Sequence, residues 1–236
     1  MKKKLMLFIH SVSLSINFYF ARFLGKTLSR VNKSSNYQPL PWIGLHNSRR
    51  SKGTVQRWKA MEKVMKLNGS VLDIGCDVGY FVFKSAERGA LAWGVDENIY
   101  AIHTANYAKN KIKSENSQFF LQRINDKNIN LLPEFDYIIF LSVFHHWCRV
   151  YGFIKAKEML TRLVKKAKKG LFFEMGQSEM ASKYNIPNVE GDFEDWLKNL
   201  LEEVSERDVQ SLGMFDVFVD KGRVPAKRSM FIINHG

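Results

Sequence analysis

The chain has 236 residues, which is enough for one well-buried α/β domain with an appendage and too few for two ordinary domains. Its two cysteines, Cys76 and Cys148, exclude a disulfide-framework protein and favour a reduced, cytoplasmic setting. The formal net charge of +13 arises within residues 1–66, which hold 14 Lys or Arg and one acidic residue, whereas the rest of the chain holds 22 of each sign. A basic end on a neutral domain indicates attachment to an anionic partner, either a membrane surface or nucleic acid.

Residues 1–30 form a basic and apolar N-terminal segment. Lysines precede an apolar-rich stretch, but serines interrupt that stretch and no small-residue cleavage site follows it, which argues against a spanning helix and a signal peptide. A single crossing would also export the rest of the chain. We therefore predict a helix lying in the membrane interface, with Leu5, Phe8 and Val12 on its apolar stripe. A helix packed on the domain itself, or a strand from Val12 to Phe20, stays open as an alternative.

Residues 31–53 are polar and rich in turn-forming residues, so we predict a linker or lid. Within them, Arg49 and Arg50 are candidate substrate contacts, because paired guanidinium groups suit carboxylates and phosphates. A solvated basic linker is the alternative. Thr54 is expected to cap the first helix of a domain that spans residues 54–236.

The stretch from Val71 to Phe81 is the most informative part of the chain. An apolar run that contains Asp73 precedes Gly75 and Gly79, and an apolar, helix-like segment follows. This order predicts a strand, a tight loop and a helix, with glycine allowing a sharp turn and the close approach of a ligand. A dinucleotide-binding fingerprint would instead show G-x-G-x-x-G and receive a pyrophosphate. An acidic residue at this place repels phosphate but can hold an ammonium group.

This D-x-G-x-x-x-G stretch resembles the first motif of the class I S-adenosylmethionine-dependent methyltransferases. A second acidic residue, Asp96, ends the next predicted strand 23 positions after Asp73, and the pair is more specific than either motif alone. The resemblance implies an α/β fold, with a seven-stranded, mostly parallel sheet and helices on both faces, preceded here by the basic, apolar helical extension. It covers residues 54–175 well, the C-terminal third weakly and residues 1–50 not at all. The alternatives are another Rossmann-like nucleotide binder, such as a nicotinamide dehydrogenase, or a structural turn.

The resemblance also implies a cofactor, S-adenosylmethionine, whose methionine part the loop after the first strand would hold. Asp96 would bind the ribose hydroxyls, and Glu97 would line the adenine edge. Asn125 or Asp126, with Asp126 favoured, would bond the adenine amine, unless both belong to a plain surface loop. The full set of predicted cofactor contacts is Asp73, Gly75, Cys76, Gly79, Asp96, Glu97, Asn125, Asp126 and Ser142.

A second informative stretch runs from Tyr137 to Leu141, a continuous apolar run typical of a strand buried on both faces of a parallel sheet. It continues through Ser142 to two adjacent histidines and resembles the fourth motif of the family. His146, which aligns better than His145 with the recurrent histidine of that motif, is the preferred candidate for a general base, because imidazole titrates near working pH. A structural role for the pair is equally open. We predict no metal site, since adjacent side chains seldom point at one ion.

The C-terminal third begins with an amphipathic helix predicted from Gly152 to Lys169, with its terminal lysines suiting the helix dipole and Gly170 ending it. Leu171–Glu174 follows as a strand, and Glu174 at its end is a candidate substrate contact. Residues 175–190 lack periodicity, as a substrate loop would.

Beyond that loop, Asp192 is expected to cap a helix with a strong apolar stripe. Phe215–Val219 and Met230–Ile233 are expected to form the antiparallel pair that completes the sheet of this family.

These observations lead to a functional prediction. We expect a methyltransferase that methylates a hydroxyl of a sugar or lipid-linked glycan at the cytoplasmic membrane face, with the protein peripheral to the membrane through residues 1–30. An RNA methyltransferase, motivated by the same basic segment, is the less favoured alternative, since the domain itself is neutral. A non-catalytic binding module with this fold is a third possibility, and the presence of Asp73, Gly75 and Asp96 argues against it.

Overall fold

The computed structural model describes residues 37–46, 48, 51–66, 69–176, 181–219 and 224–234. The chain divides into two compact units, Met1–Tyr37 and Gln38–Gly236. The helix predicted within residues 1–30 and the two predicted substrate residues, Arg49 and Arg50, lie outside the described residues. In the part of the chain that is described, no helix combines the length and the apolar character that a membrane crossing needs.

The second unit is built on a single sheet. Its strands are β1 Ser70–Ile74, β2 Leu91–Asp96, β3 Ser117–Leu121, β4 Phe135–Leu141, β5 Ala167–Glu174, β6 Val209–Val219 and β7 Val224–Asn234. They form a seven-stranded sheet in the order β3-β2-β1-β4-β5-β7-β6. Strands β1 to β5 run parallel, and β7 pairs antiparallel with both β5 and β6. The predicted sheet is therefore confirmed, and its antiparallel pair is longer than the sequence indicated.

Helices cover both faces of this sheet, as predicted. They are α1 Ser51–Val64, α2 Tyr80–Glu87, α3 Ile99–Ile112, α4 Phe144–Tyr151, α5 Phe153–Val164, α6 Ala181–Tyr184 and α7 Phe193–Ser205. Helices α1, α2 and α3 contribute buried side chains to one hydrophobic cluster, and α4, α5 and α7 contribute to another. The apolar run of β4 serves both clusters, because successive side chains of a strand point to opposite faces.

The compact unit begins well before Thr54, the residue predicted to open the domain. Leu40 is fully buried, and the ring of Trp42 packs on the aromatic rings of Tyr80 and Phe83. Helix α1 begins at Ser51, so Thr54 lies inside its first turn instead of capping it. Gly53 lets this turn lie directly on β6, since a Cβ there would stand 2.0 Å from the backbone oxygen of Asp216.

The lysine-rich segment after α5 differs from the prediction. Helix α5 ends at Val164, and β5 already begins at Ala167, so Lys168 and Lys169 are strand residues and not a helix end. Gly170 lies within β5, paired with Asn234 of β7, and does not terminate a helix. The flanking residues are paired, Ala167 with Phe135 of β4 and Gly170 with Asn234 of β7, and this pairing overrides the local preference of the lysine-rich sequence.

The parallel strands place the predicted motifs at one edge. The carboxyl ends of β1, β2, β4 and β5 lie on the same side of the sheet, because these strands run in the same direction. Strand β1 lies between β2 and β4. The order of the chain through the sheet reverses between β1 and β4, which is where open α/β sheets bind their ligands.

Candidate functional site

The loop between β1 and α2 depends on its glycines. Gly75 and Gly79 have φ angles of 77° and 88°, in the left-handed region that disfavours other residues. A Cβ on Gly75 would lie 2.6 Å from Cγ2 of Val143, and a Cβ on Gly79 would lie 2.4 Å from Cε1 of Phe119. The loop therefore packs against the segment after β4 on one side and against β3 on the other.

Asp73 is the unusual residue of this loop region. Its side chain is 2% exposed, and its Oδ2 atom has no hydrogen-bond partner among the described residues. Burial, followed by the neighbouring carboxylates of Asp96 and Asp77, raises the pKa of Asp73 well above its ordinary value. We call these three residues the acidic cluster. A buried carboxyl with an unused oxygen and negative neighbours is suited to a ligand that carries positive charge.

Asp96 connects β2 to the loop. Its Oδ2 accepts a hydrogen bond of 2.8 Å from the backbone amide of Asp77, and its Oδ1 accepts one of 2.8 Å from the amide of Asn98. The carboxylate is therefore fixed at the end of β2, and each of its oxygens keeps a second lone pair that can accept from a hydroxyl.

Cys76 contributes to the loop through its backbone. Its amide and that of Gly75 both donate to the carbonyl oxygen of Val95, at 3.1 and 2.8 Å. Its thiol is fully buried, and a Cβ on Gly94 would meet the Sγ atom at 2.7 Å. Burial, and then the acidic cluster, raises the pKa of this thiol well above its ordinary value. The side chain of Cys76 is thus a neutral core group behind the loop.

A pocket of about 560 Å³ opens between the ends of β2 and β3. It is lined by Glu97, Asn98, Ile99, Leu121, Gln122 and Arg123. Ile99 and Leu121 are 45% and 51% exposed there, and Glu97 forms an ion pair with Arg123 across the pocket lining. Two apolar side chains with polar groups at the rim suit a flat heterocycle such as adenine. Leu121, Gln122 and Arg123 were not among the predicted site residues, because exposure at a strand end cannot be read from the local sequence.

The two residues predicted to bond the adenine amine face elsewhere. The Asn125 side-chain oxygen accepts from the amide of Lys127 at 2.9 Å, which closes a local turn. The Asp126 carboxylate pairs with Arg162 and with Lys155, the latter at 3.2 Å, and the hydrogen bond from Arg162 is the main cause of its lowered pKa. Neither residue lines the pocket, so the preference for Asp126 finds no support in the geometry.

The adjacent histidines occupy different environments at the start of α4. His145 is 3% exposed, and its Nδ1 accepts a hydrogen bond of 3.2 Å from the amide of Gly176. His146 is exposed. The centroid of its ring lies 4.4 Å from the ring centroid of His145, and the ring of Tyr184 contacts both imidazoles edge-on. The structure thus engages His145 with the backbone after β5 and leaves His146 accessible.

Partial desolvation of the imidazole, and then the positive charge of Arg149, lower the pKa of His146 below its ordinary value. Imidazole is a base only when it is neutral, so this environment keeps His146 in the form that accepts a proton near neutral pH. Among the described residues, no group of three or more His, Cys, Asp or Glu side chains is arranged to hold a metal ion.

Glu174 was predicted to contact substrate, but it is fully buried in a charged network. Its Oε2 accepts from Nε of Arg57 at 2.5 Å, and its Oε1 accepts from the hydroxyl of Ser142 at 2.7 Å. Nη1 of Arg228 donates a hydrogen bond of 3.2 Å to the oxygen of the same hydroxyl. We call these four residues the Glu174 network. Ser142, predicted to contact cofactor, is held within it, and the sequence offered no signal for Arg57, which lies 117 positions from its partner.

Comparison with known sequences finds a short region of similarity. The chain is 34% identical over 95 residues to the O-antigen chain terminator bifunctional methyltransferase/kinase WbdD of Escherichia coli. The match covers 40% of this chain and only 13% of that protein. No family model matches the chain.

Comparison with solved structures covers most of the chain. The bifunctional kinase-methyltransferase WbdD superposes with a TM-score of 0.63 at 23% identity, over 84% of this chain and 43% of that one. Magnesium protoporphyrin IX methyltransferase (ChlM) from Synechocystis PCC 6803, solved with bound SAH, superposes with a TM-score of 0.57 at 16% identity, over 93% and 99% of the two chains. Its complex with SAM superposes with a TM-score of 0.56. At these identities the likeness establishes the fold.

Proposed function

We propose that this chain, which has the fold of the class I S-adenosylmethionine-dependent methyltransferases, transfers a methyl group from S-adenosylmethionine to a hydroxyl of a sugar or lipid-linked glycan. The observation that carries the proposal is the acidic cluster at the end of β1 and β2. Its buried Asp73 has an oxygen without a partner, and its neighbours are also carboxylates. Such a cluster is costly without a positive ligand.

The residues on this side of the sheet fit the proposed cofactor. Asp73 would hold the ammonium group, Asp96 would accept from the ribose hydroxyls, and the pocket beside Ile99 and Leu121 would take the adenine ring. Bound there, S-adenosylmethionine would supply a methyl group made electrophilic by its positive sulfonium. A pyrophosphate would be repelled by the same carboxylates, which disfavours a nicotinamide cofactor.

His146 supplies the chemistry that a hydroxyl acceptor needs. The neutral imidazole can take the hydroxyl proton as the oxygen attacks, and its position in the first turn of α4 lies directly after the segment that contacts Gly75. The protein would contribute mainly alignment of donor and acceptor, together with this base.

The glycan assignment rests on the sequence similarity to WbdD, whose name describes action on the O-antigen. The sequence match covers only 13% of that protein, so the assignment of its substrate class to this chain is our inference. The basic, apolar segment of residues 1–30 supports a site of action at the cytoplasmic membrane face, where lipid-linked glycans are presented.

Calorimetric titration of the purified protein with S-adenosylmethionine and, separately, NAD tests the cofactor. We expect saturable binding of S-adenosylmethionine alone, and loss of that binding in Asp96→Ala. A folded protein that binds neither would overturn the enzyme assignment and leave a binding module, and binding of NAD alone would indicate a dehydrogenase.

Labelled S-adenosylmethionine incubated with separated glycolipid and RNA fractions tests the acceptor. We expect label in the glycolipid fraction, and less of it when residues 1–30 are deleted although cofactor affinity is retained. Label in RNA, with binding that weakens as salt rises, would replace the glycan proposal with RNA modification.

A further inference from the structure

Three fully or nearly buried charged side chains lie close to Ser142: Glu174 and Arg228 bond its hydroxyl, and Arg57 bonds Glu174. Arg57, Glu174 and Arg228 are 4%, 0% and 1% exposed, and they come from α1, β5 and β7. Burying such groups is costly, and replacing them by apolar residues is often neutral or favourable for stability. Stability alone therefore does not explain why this network is placed at the ligand-binding edge of the sheet.

The Glu174 network fixes an unusual backbone conformation. Ser142 has a φ of 60°, in the left-handed region that non-glycine residues rarely adopt. Its amide donates to the carbonyl oxygen of Glu174 at 2.7 Å, and its hydroxyl donates to the Glu174 carboxylate at 2.7 Å. Main chain and side chain of Glu174 therefore both bond this residue with a left-handed backbone conformation.

The turn at Ser142 and Val143 contacts the loop between β1 and α2 and leads into the helix that carries the candidate base. Val143 follows Ser142 and lies against Gly75 of the cofactor loop, closely enough that a Cβ on Gly75 would clash with it. Helix α4 begins at the next residue and carries His145 and His146. A shift of Ser142 would therefore move the cofactor loop contact and the candidate base relative to each other.

We propose that Glu174, held by Arg57, is a positioning residue that fixes the turn at Ser142 and Val143 and so sets the spacing between the cofactor loop and His146. The inference rests on the proposed methyltransferase function for its catalytic consequence. A misplacement of about 1 Å can cost about 100-fold in rate, so fixing this turn has more effect on methyl transfer than on cofactor affinity. Arg57 and Arg228 act through Glu174 and Ser142 and need not touch either ligand.

Three variants separate positioning from general stability. Glu174→Gln keeps the shape of the side chain and removes its charge, and Ser142→Ala, a milder change, removes only the hydroxyl. The matched control is Asp136→Asn, at the amino end of β4 and so at the end of the strands opposite the candidate site. Asp136 likewise accepts from a serine, at 2.8 Å from the amide of Ser70, and pairs with Lys169 at 3.0 Å.

Hydrogen exchange of the amides in residues 142–147, followed by mass spectrometry, reports on the turn without any acceptor. We expect exchange there to rise about tenfold or more in Glu174→Gln and Ser142→Ala, and to stay at the wild-type rate in Asp136→Asn. If Glu174→Gln does not fold, Ser142→Ala decides the question. Unchanged exchange of this segment in a folded variant would overturn the inference.

The rate of methyl transfer from labelled S-adenosylmethionine to the glycolipid fraction is the second measurement. In both network variants we expect kcat to fall about 10- to 100-fold while KM for S-adenosylmethionine stays within about threefold, and Asp136→Asn to change neither. Equal loss in all three variants would show a merely structural role. A wild-type protein that binds no S-adenosylmethionine would refute the proposed function, while the exchange rates of the cofactor-free protein would still decide whether the network holds the turn.

Discussion

Two buried carboxylates near the ends of parallel strands behave in opposite ways. Glu174 of β5 is satisfied within the protein, by Arg57 and Ser142. Asp73 of β1 is equally buried, yet it has an oxygen without a partner and its neighbours are carboxylates. Burial therefore does not distinguish a ligand-binding charge from a structural one. In our proposal the difference lies in what neutralises each charge, which is Arg57 for Glu174 and the ammonium group of the cofactor for Asp73.

Removing His146 tests whether the acceptor side acts independently of the cofactor side. His146→Gln should lower methyl transfer about 100- to 10,000-fold, as expected for loss of a general base, without changing the affinity for S-adenosylmethionine. In the wild type, transfer should fall with acidification only below the ordinary histidine pKa, because the pKa of His146 is lowered and its basic form persists to lower pH. Steady-state rates across pH check both, and a variant that transfers at the wild-type rate would remove His146 from the mechanism.

Truncating Glu174 should expose its structural role most clearly. In Glu174→Ala, the buried Arg57 loses the carboxylate that accepts from its Nε, so the free energy of unfolding should fall by about 3–5 kcal/mol. Urea unfolding followed by circular dichroism measures the change. A loss below about 1 kcal/mol would mean that Arg57 finds another partner or water.

Neutralising Asp73 should have the opposite effect on the cofactor-free protein. Asp73→Asn removes a buried negative charge that faces other carboxylates, so stability should rise, while binding of S-adenosylmethionine should weaken by about 2–5 kcal/mol. Thermal unfolding and calorimetry of the same preparation check the two signs. Lower stability of the cofactor-free variant would contradict the contrast between the two carboxylates.

The raised pKa of Asp73 should also make the free energy of unfolding depend on pH. Because the pKa of Asp73 is raised in the folded protein, the folded state binds this proton more tightly than the unfolded state. The destabilising effect of the ionised Asp73 is therefore absent below the unfolded pKa of about 3.9. It grows as pH rises from there towards the folded-state pKa. The stability difference between Asp73→Asn and the wild type should shrink as pH is lowered from 8 to 5, as measured by urea unfolding at each pH.

The smallest effect is expected at Asp126. Its carboxylate pairs with Arg162 and Lys155 at the surface, away from the pocket lining, so Asp126→Ala should leave the affinity for S-adenosylmethionine unchanged. A marked loss of affinity in calorimetry would restore the sequence-based preference for this residue and require the loop to rearrange on binding.

Sequence reasoning succeeded where the constraint is local. The glycine spacing at Gly75 and Gly79 specified a strand, a turn and a helix, because left-handed backbone and close approach are properties of the residue itself. The buried run of β4 and the helix cap at Asp192, whose carboxylate accepts from the amides of Glu194 and Asp195, are local in the same sense.

Sequence reasoning failed where contacts with strands distant in the chain decide the structure. The segment around Lys168 and Lys169 was expected to end a helix, yet it lies within β5, where the flanking Ala167 and Gly170 pair with neighbouring strands. The first helix starts before Thr54, and Gly53 in its first turn lies against β6, a strand more than 150 positions away. Neither partner can be identified from the local sequence.

The sequence by itself determined the fold family and the positions of Asp73 and Asp96, because both sit in a local pattern of strand, turn and helix. The tertiary structure alone decided what each buried charge does. It brought Arg57 to Glu174 and Arg228 to Ser142, distinguished His145 from His146, and turned Asp126 towards α5. The physical reason is that electrostatic roles depend on burial and on partners distant in the chain, and a local pattern specifies neither.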